Sequence, residues 1–212
     1  MKAAVLISGR GSNLQALIDA QAAPGWPAGI VLVISNVAGA QGLERAEKAA
    51  IPATVIDHRD FDGREPFDAA MTAAIEDAGA EFVCLAGFMR ILSDPFIGRW
   101  RDRLINIHPS LLPAFKGLHV HERVIEQGAR FSGCTVHFVR PEMDTGPIIQ
   151  QARVPVLPGD DADTLAARVL EQEHIIYPRA LRLIAEGRVT VTGGRALIDG
   201  EPADAPDNPE EG

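Results

Sequence analysis

The sequence predicts an α/β fold: an open, mostly parallel, twisted sheet with helices on both faces, followed by a C-terminal hairpin. Three observations carry this expectation. Short apolar runs alternate with longer segments of helical period through the first half of the chain. Those runs are apolar almost throughout, as strands covered on both faces must be. Near the end, two short runs flank Gly193-Gly194, a hairpin signal.

In order, residues 3–7 read as a strand and 13–20 as a helix; 30–34 and 43–50 repeat the pair. The unit continues with a strand at 53–56, a helix at 64–78, a strand at 81–86, a short helix at 95–100 and a strand at 103–107. After Pro109 the pattern changes: 110–117 contains two breakers and no clean period, which predicts an ordered surface loop. A helix at 120–127 and strands at 134–139 and 148–156 follow. Residues 163–186 read as one long helix that Pro178 should kink or split. Strands at 189–192 and 195–198 form the hairpin.

The chain has 212 residues, 46% hydrophobic and 23% charged, enough apolar surface for one or two cores and too much for a disordered protein. A formal net charge of -9 is the wrong sign for a broad nucleic-acid face, so no nucleic-acid partner is expected. The first apolar run is too short for a signal-peptide core or a membrane span, and two cysteines imply no disulfide framework. A cytoplasmic protein with no membrane partner is expected. The end of the chain carries Glu201, Asp204, Asp207, Glu210 and Glu211 with prolines and no base, so 201–212 is expected to be a disordered acidic tail.

Three constellations could carry chemistry. Ser8-Gly9-Arg10-Gly11-Ser12-Asn13-Leu14 joins the first strand to the first helix, where free N–H groups and the helix dipole favour an anion. A bland alternative is a tight turn with Ser12 or Asn13 as the helix cap. The Gly-Lys-Ser/Thr of a nucleoside triphosphate loop is absent. Leu14 stands where a dinucleotide fingerprint needs its third glycine, and the second strand ends in Ser35-Asn36 rather than an acid, so a monophosphate is the better expectation. Second, alternation along Leu104-Ile105-Asn106-Ile107-His108 places Asn106 and His108 on one strand face, at the end where parallel sheets bind ligands. A His can move a proton near neutrality, and an Asn amide can donate to an oxyanion. Third, Asp144 lies in the turn Met143-Asp144-Thr145-Gly146-Pro147; beside His108 it would orient the ring and favour the imidazolium, and otherwise it is a turn former.

Other features read as structural. His119-Val120-His121 falls at a helix start, which argues against a metal pair, and no metal is expected. His137 reads as a packed or hydrogen-bonded strand residue and His174 as a helix residue. Phe88-Met89-Arg90-Ile91-Leu92 follows a buried strand and is core by default, although such a segment can line a slot for a flat ring. Arg64 and Arg90 are ordinary cations unless an anion site uses them.

Ordered blocks along residues 2–200 resemble the folate-dependent glycinamide ribonucleotide formyltransferases: Ile7-Ser8-Gly9-Arg10-Gly11-Ser12-Asn13-Leu14, Leu85-Ala86-Gly87-Phe88-Met89-Arg90-Ile91-Leu92, Asn106-Ile107-His108-Pro109-Ser110-Leu111-Leu112-Pro113, Gly117-Leu118-His119, Val136-His137-Phe138-Val139 and Asp144-Thr145-Gly146-Pro147. The resemblance implies a Rossmann-like formyltransferase fold in one domain over 1–200, its N-terminal half binding phosphate and ribonucleotide and its C-terminal half binding folate. It implies transfer of a formyl group from the co-substrate 10-formyltetrahydrofolate to the amine of glycinamide ribonucleotide in purine biosynthesis, without metal. Asn106, His108 and Asp144 match the family's catalytic set. Gly11, Ser12, Asn13 and Glu173 would bind the ribonucleotide. Arg64, Met89, Arg90, Ile91 and Leu92, together with Asn106, Arg140, Pro141, Glu142, Met143 and Asp144, would form the folate slot. The chain departs from the family at Leu170, where a polar or cationic residue is usual, and no role is carried over there.

The resemblance leaves rivals. Methionyl-tRNA formyltransferases would add a C-terminal nucleic-acid domain, and formyltetrahydrofolate hydrolases an N-terminal regulatory one; the Gly11-Ser12-Asn13 turn favours the ribonucleotide acceptor over both. A non-catalytic folate- or nucleotide-binding module would lack the proton-moving His108 and Asp144. The expected assembly is a monomer or a homodimer.

Overall fold

A computed structural model describes residues 1–203, which divide into two compact units, 1–106 and 107 onward. The first unit alternates strands and helices as expected: β1 (Lys2–Ile7), α1 (Ser12–Gln21), β2 (Gly29–Ser35), α2 (Gln41–Lys48), β3 (Ala53–Val55), α3 (Arg64–Asp77), β4 (Phe82–Leu85), α4 (Asp94–Arg99) and β5 (Leu104–His108), whose last two residues pass into the second unit. A single 3₁₀ turn, His58–Asp60, sits between β3 and α3. All the pairings in this unit are parallel, in the order β3-β2-β1-β4-β5. The chain works outward from β1 to β3, then returns to β4 on the other side of β1. That reversal opens a crevice at the carboxyl ends of β1 and β4, the usual ligand position in such sheets.

Burial follows the residues. Ala3, Ala4, Val5, Leu6 and Ile7 are fully buried, as are Val83 and Cys84, which is why these strands carry no polar alternation. On α3 the buried stripe is Phe67, Asp68, Met71 and Ile75, one helical face with a carboxylate set into it. Helix α2 stops at Lys48, short of the expected Ala50, because Ala50 takes up a left-handed backbone (φ 54°) that ends the helix.

The second unit contains α5 (Val120–Glu126), the antiparallel pair β6 (Phe131–Phe138) and β7 (Ile148–Pro155), the long α6 (Ala162–Ala185), and a small antiparallel sheet of β8 (Val189–Thr192), β9 (Arg195–Ile198) and β10 (Glu201–Pro202). Strand β6 begins three residues before the expected Cys134. Gly133, outside the expected bounds, belongs to the strand: a side chain there would run into the Ala152 carbonyl oxygen of β7. Helix α6 starts at a reciprocal capping box between Asp161 and Thr164 and packs on β6 and β7 through Leu165, Val169, Ile176, Tyr177 and Leu181.

Two expectations are corrected. Pro178 does not split α6; the helix runs on through it, and the ring lies on the buried face, where packing offsets the missing N–H. The acidic tail does not begin at Glu201, because Glu201 and Pro202 pair with Ile198 and Leu197; the remainder of that expectation, 204–212, lies outside the described residues. No described helix is long and apolar enough to cross a membrane.

Candidate active site

In the first unit the glycine-rich turn lies at the crevice. Helix α1 begins at Ser12, and its cap is Gly11 in a left-handed conformation (φ 67°), with no side-chain cap bond; neither Ser12 nor Asn13 plays that part. A Cβ on Gly11 would lie 2.6 Å from the Cα of Gly42, so this glycine also permits α1 and α2 to approach closely. The Gly42 N–H donates to the Gly9 carbonyl (3.0 Å), and the Arg45 guanidinium donates to the Arg10 carbonyl (2.9 Å) and to Gln15 Oε1 (3.2 Å). Arg45 therefore sets a positive charge beside a helix N-terminus, both of which favour an anion.

The segment after β4 is tied to this turn. Ser8 N–H donates to the Gly87 carbonyl (3.2 Å), and Ser8 Oγ accepts from the Met89 N–H (2.7 Å) while donating to Asn36 Oδ1 (2.6 Å). Asn36 reaches in turn to His58 Nδ1 at 3.3 Å. Phe88 and Leu92 are buried, whereas Met89 and Ile91 are 67% and 59% exposed with the exposed Arg90 between them. The result is an apolar lip at the mouth of the crevice, where the sequence-based default was core. Asn106 pairs with Leu85, the last residue of β4, and is half-buried. Arg64 is the exposed first residue of α3.

In the second unit His108 and Asp144 come together. His108 Nδ1 lies 3.6 Å from Asp144 Oδ2, with the two side chains 8% and 9% exposed. The other ring nitrogen, Nε2, is 3.0 Å from the Phe115 carbonyl, so Nε2 carries a proton and donates it there. Asp144 Oδ2 also accepts from the Gly117 N–H (2.9 Å). The Asp144 backbone is left-handed (φ 53°), which suits a short polar side chain, and Gly146 lets the chain turn back so tightly that any Cβ would strike the Phe138 carbonyl.

His137 is a third member of this cluster, which sequence reasoning placed only as a packed or hydrogen-bonded strand residue. Its Nδ1 donates to the Phe138 carbonyl (3.0 Å) and its Nε2 lies 3.8 Å from Asp144 Oδ1. Burial lowers its pKa to about 4, outweighing that hydrogen bond and the Asp144 charge, which act the other way. His137 is thus neutral near pH 7.

The loop after His108 is held by Thr135, which the sequence also did not single out. Its Oγ1 donates to the Ser110 carbonyl (2.6 Å) and accepts from the Leu112 N–H (3.1 Å) and Gln151 Nε2 (2.8 Å). Ser110 Oγ donates to the Ala114 carbonyl (2.6 Å), and the Leu112–Pro113 peptide is cis. These contacts fix the chain that supplies the Phe115 carbonyl. Thr, Gln and Ser in a strand or loop have no sequence signal that sets them apart; only the fold reveals the hub.

Of the remaining candidates, Pro141, Glu142 and Met143 are exposed on the turn before Asp144, and Arg140 is half-buried with Nη1 donating to the Val139 carbonyl (2.9 Å). Glu173 is 7% exposed on α6, where its charge, after burial, raises the Cys134 thiol pKa; Leu170 is half-buried one turn earlier. His119 caps α5 and lies 3.6 Å from Glu122, while burial lowers the His121 pKa. Among the described residues no group of three His, Cys, Asp or Glu side chains has the spacing to hold a metal.

Residues 1–181 match the family described as Formyl transferase. The trifunctional purine biosynthetic protein adenosine-3 of Drosophila pseudoobscura pseudoobscura is 61% identical over 188 residues, 88% of this chain and 14% of that protein, so this chain spans about a seventh of that relative's length. The phosphoribosylglycinamide formyltransferase of Escherichia coli (strain K12) is 46% identical over 201 residues, 95% of each chain. The crystal structure of glycinamide ribonucleotide transformylase 1 from Symbiobacterium toebii superposes with a TM-score of 0.91 at 46% identity, covering 93% of both chains. The apolar lip, the anion-favouring turn and the buried His–Asp pair are thus features of a chain that belongs to the formyl transferase family.

Proposed function

We propose that this protein transfers the formyl group of 10-formyltetrahydrofolate to the amine of glycinamide ribonucleotide, giving formylglycinamide ribonucleotide and tetrahydrofolate. The observation that carries the reading is the buried His108–Asp144 pair, with the ring tautomer set by the Phe115 carbonyl. The likeness to named formyltransferases over 95% of both chains supports the same substrates.

The chemistry balances without an outside reagent. The amine attacks the formyl carbon, forming a C–N bond and a tetrahedral oxyanion; the bond from carbon to the folate nitrogen then breaks. One proton leaves the amine and one arrives on the folate nitrogen. The Asn106 amide and the His108 imidazolium are assigned as donors to the oxyanion, and His108 as the group that moves the proton. With Nδ1 facing Asp144, the Nε2–H is the donor available to the oxyanion, and it must leave the Phe115 carbonyl to act. Asp144 is assigned to hold the ring oriented and charged.

Gly11, Ser12 and Asn13 are assigned to the ribonucleotide phosphate, with the Arg45 charge behind them, and Glu173 to the rest of that substrate. Met89, Arg90, Ile91 and Leu92, with Arg64, Asn106 and residues 140–144, are assigned to the folate. Residues 1–200 are assigned to this one activity, in the cytoplasm, as a monomer or homodimer. The test follows the absorbance of 10-formyltetrahydrofolate with and without glycinamide ribonucleotide. Formyl loss only with the ribonucleotide is expected; loss without it would make the protein a hydrolase, and no loss in either case would make it a binding module.

A further inference from the structure

We propose that Asp68, a buried carboxylate on α3, is a positioning residue for the folate donor, acting by holding the far end of the apolar lip. The proposal rests on the formyl-transfer reading above and concerns how its folate slot keeps its shape. The lip leaves two large apolar side chains, Met89 and Ile91, in solvent and has no ladder hydrogen bonds of its own. Such a segment holds a surface for a flat ring only if its ends are fixed. The near end is fixed by Ser8, which takes the Met89 N–H at 2.7 Å. At the far end, the Ser93 N–H donates to Asp68 Oδ2 at 2.6 Å.

Asp68 is out of place unless that bond is used. It is 2% exposed, and its companions on the buried stripe of α3 are Phe67, Met71 and Ile75. Burial pushes its pKa up; the Ser93 hydrogen bonds and the charges of Arg64 and Arg90 pull it back. A carboxylate that accepts from a backbone N–H in a dry setting makes one of the stronger neutral-to-charged hydrogen bonds. Arg64 and Arg90 are themselves assigned to the folate slot, so the carboxylate also lies within their field. Ser93 is where the lip ends and α4 begins, which makes Asp68 the link between α3 and the last N–H of the lip.

The test is steady-state kinetics of Asp68→Leu, varying each substrate in turn. A cleft of about 350 Å³ beside the pair, lined also by Thr72 and Phe96, gives leucine room. The KM for 10-formyltetrahydrofolate is expected to rise about 10-fold, with that for glycinamide ribonucleotide within about two-fold, as loss of one charged hydrogen bond allows. A stable deaza folate should bind the variant about 10-fold more weakly. Asp68→Asn, whose amide oxygen can accept the same N–H, should restore both. If Asp68→Leu does not fold, Ser93→Pro removes the donor instead, at a φ of -76° that proline adopts. An unchanged folate KM in the folded variant, or equal rises for both substrates, would overturn the proposal. Failure of the wild-type protein to transfer formyl at all would instead overturn the reading beneath it.

Discussion

At the scale of single residues, the decisive arrangement is one carboxylate between two imidazoles that are not equivalent. His137 is kept neutral by burial, against the pull of its bond to the Phe138 carbonyl and of the Asp144 charge, while His108 faces the other oxygen of Asp144. The sign of the His137 effect on stability is definite. Its folded pKa of about 4 lies below the ordinary value of 6.5, so the unfolded chain binds the proton first as pH falls. Stability is therefore full above pH 6.5 and is lost between pH 6.5 and 4, by about 2 kcal/mol at pH 5. Urea midpoints of wild type and His137→Phe at pH 7.5 and 5 check this: the wild type should lose more stability than the variant by about that amount. For Asn106, replacement by Ala should lower kcat by about 100-fold with a smaller change in KM, as loss of one oxyanion donor does; single-turnover kinetics would read it.

The elements show why some of these residues carry two demands. Gly11 supplies both a left-handed cap for α1 and the clearance that α2 needs at Gly42. Gly11→Ala should thus destabilise the fold by about 1–3 kcal/mol, seen as a lower denaturation midpoint, and weaken ribonucleotide binding at the same time. Thr135 holds the loop from Ser110 through three hydrogen bonds, so Thr135→Val should cost about 2–4 kcal/mol and loosen the chain that presents the Phe115 carbonyl. Amide exchange at Leu112, whose N–H bonds to that hydroxyl, should be faster in the variant than in wild type; equal rates would show that the loop does not depend on it.

Across the whole molecule, the alternation of apolar runs and helical segments was legible because parallel strands buried on both faces have no other way to be written; β1, β2 and β4 fall within a residue or two of their expected bounds. The ordered motif blocks made the candidate site residues legible as a resemblance, and Asn106 and His108 also as strand neighbours. What stayed hidden depends on contacts far apart in sequence. Gly133 fell outside the expected strand because the need for a glycine there comes from the Ala152 carbonyl across the sheet. Pro178 read as a kink or a split, and the helix is not split because the ring packs on the buried face of α6. Arg45, Thr135 and Asp68 carried no local signal, and His137 none for its place beside Asp144, since each acts through a partner that only the fold delivers.

The central claim is that the buried His108 moves the proton of formyl transfer, and replacing it with Ala tests that claim most directly. Turnover of 10-formyltetrahydrofolate with glycinamide ribonucleotide should fall by about 100- to 10,000-fold, while a deaza folate binds within a few-fold of wild type. Turnover within about three-fold of wild type would contradict the account.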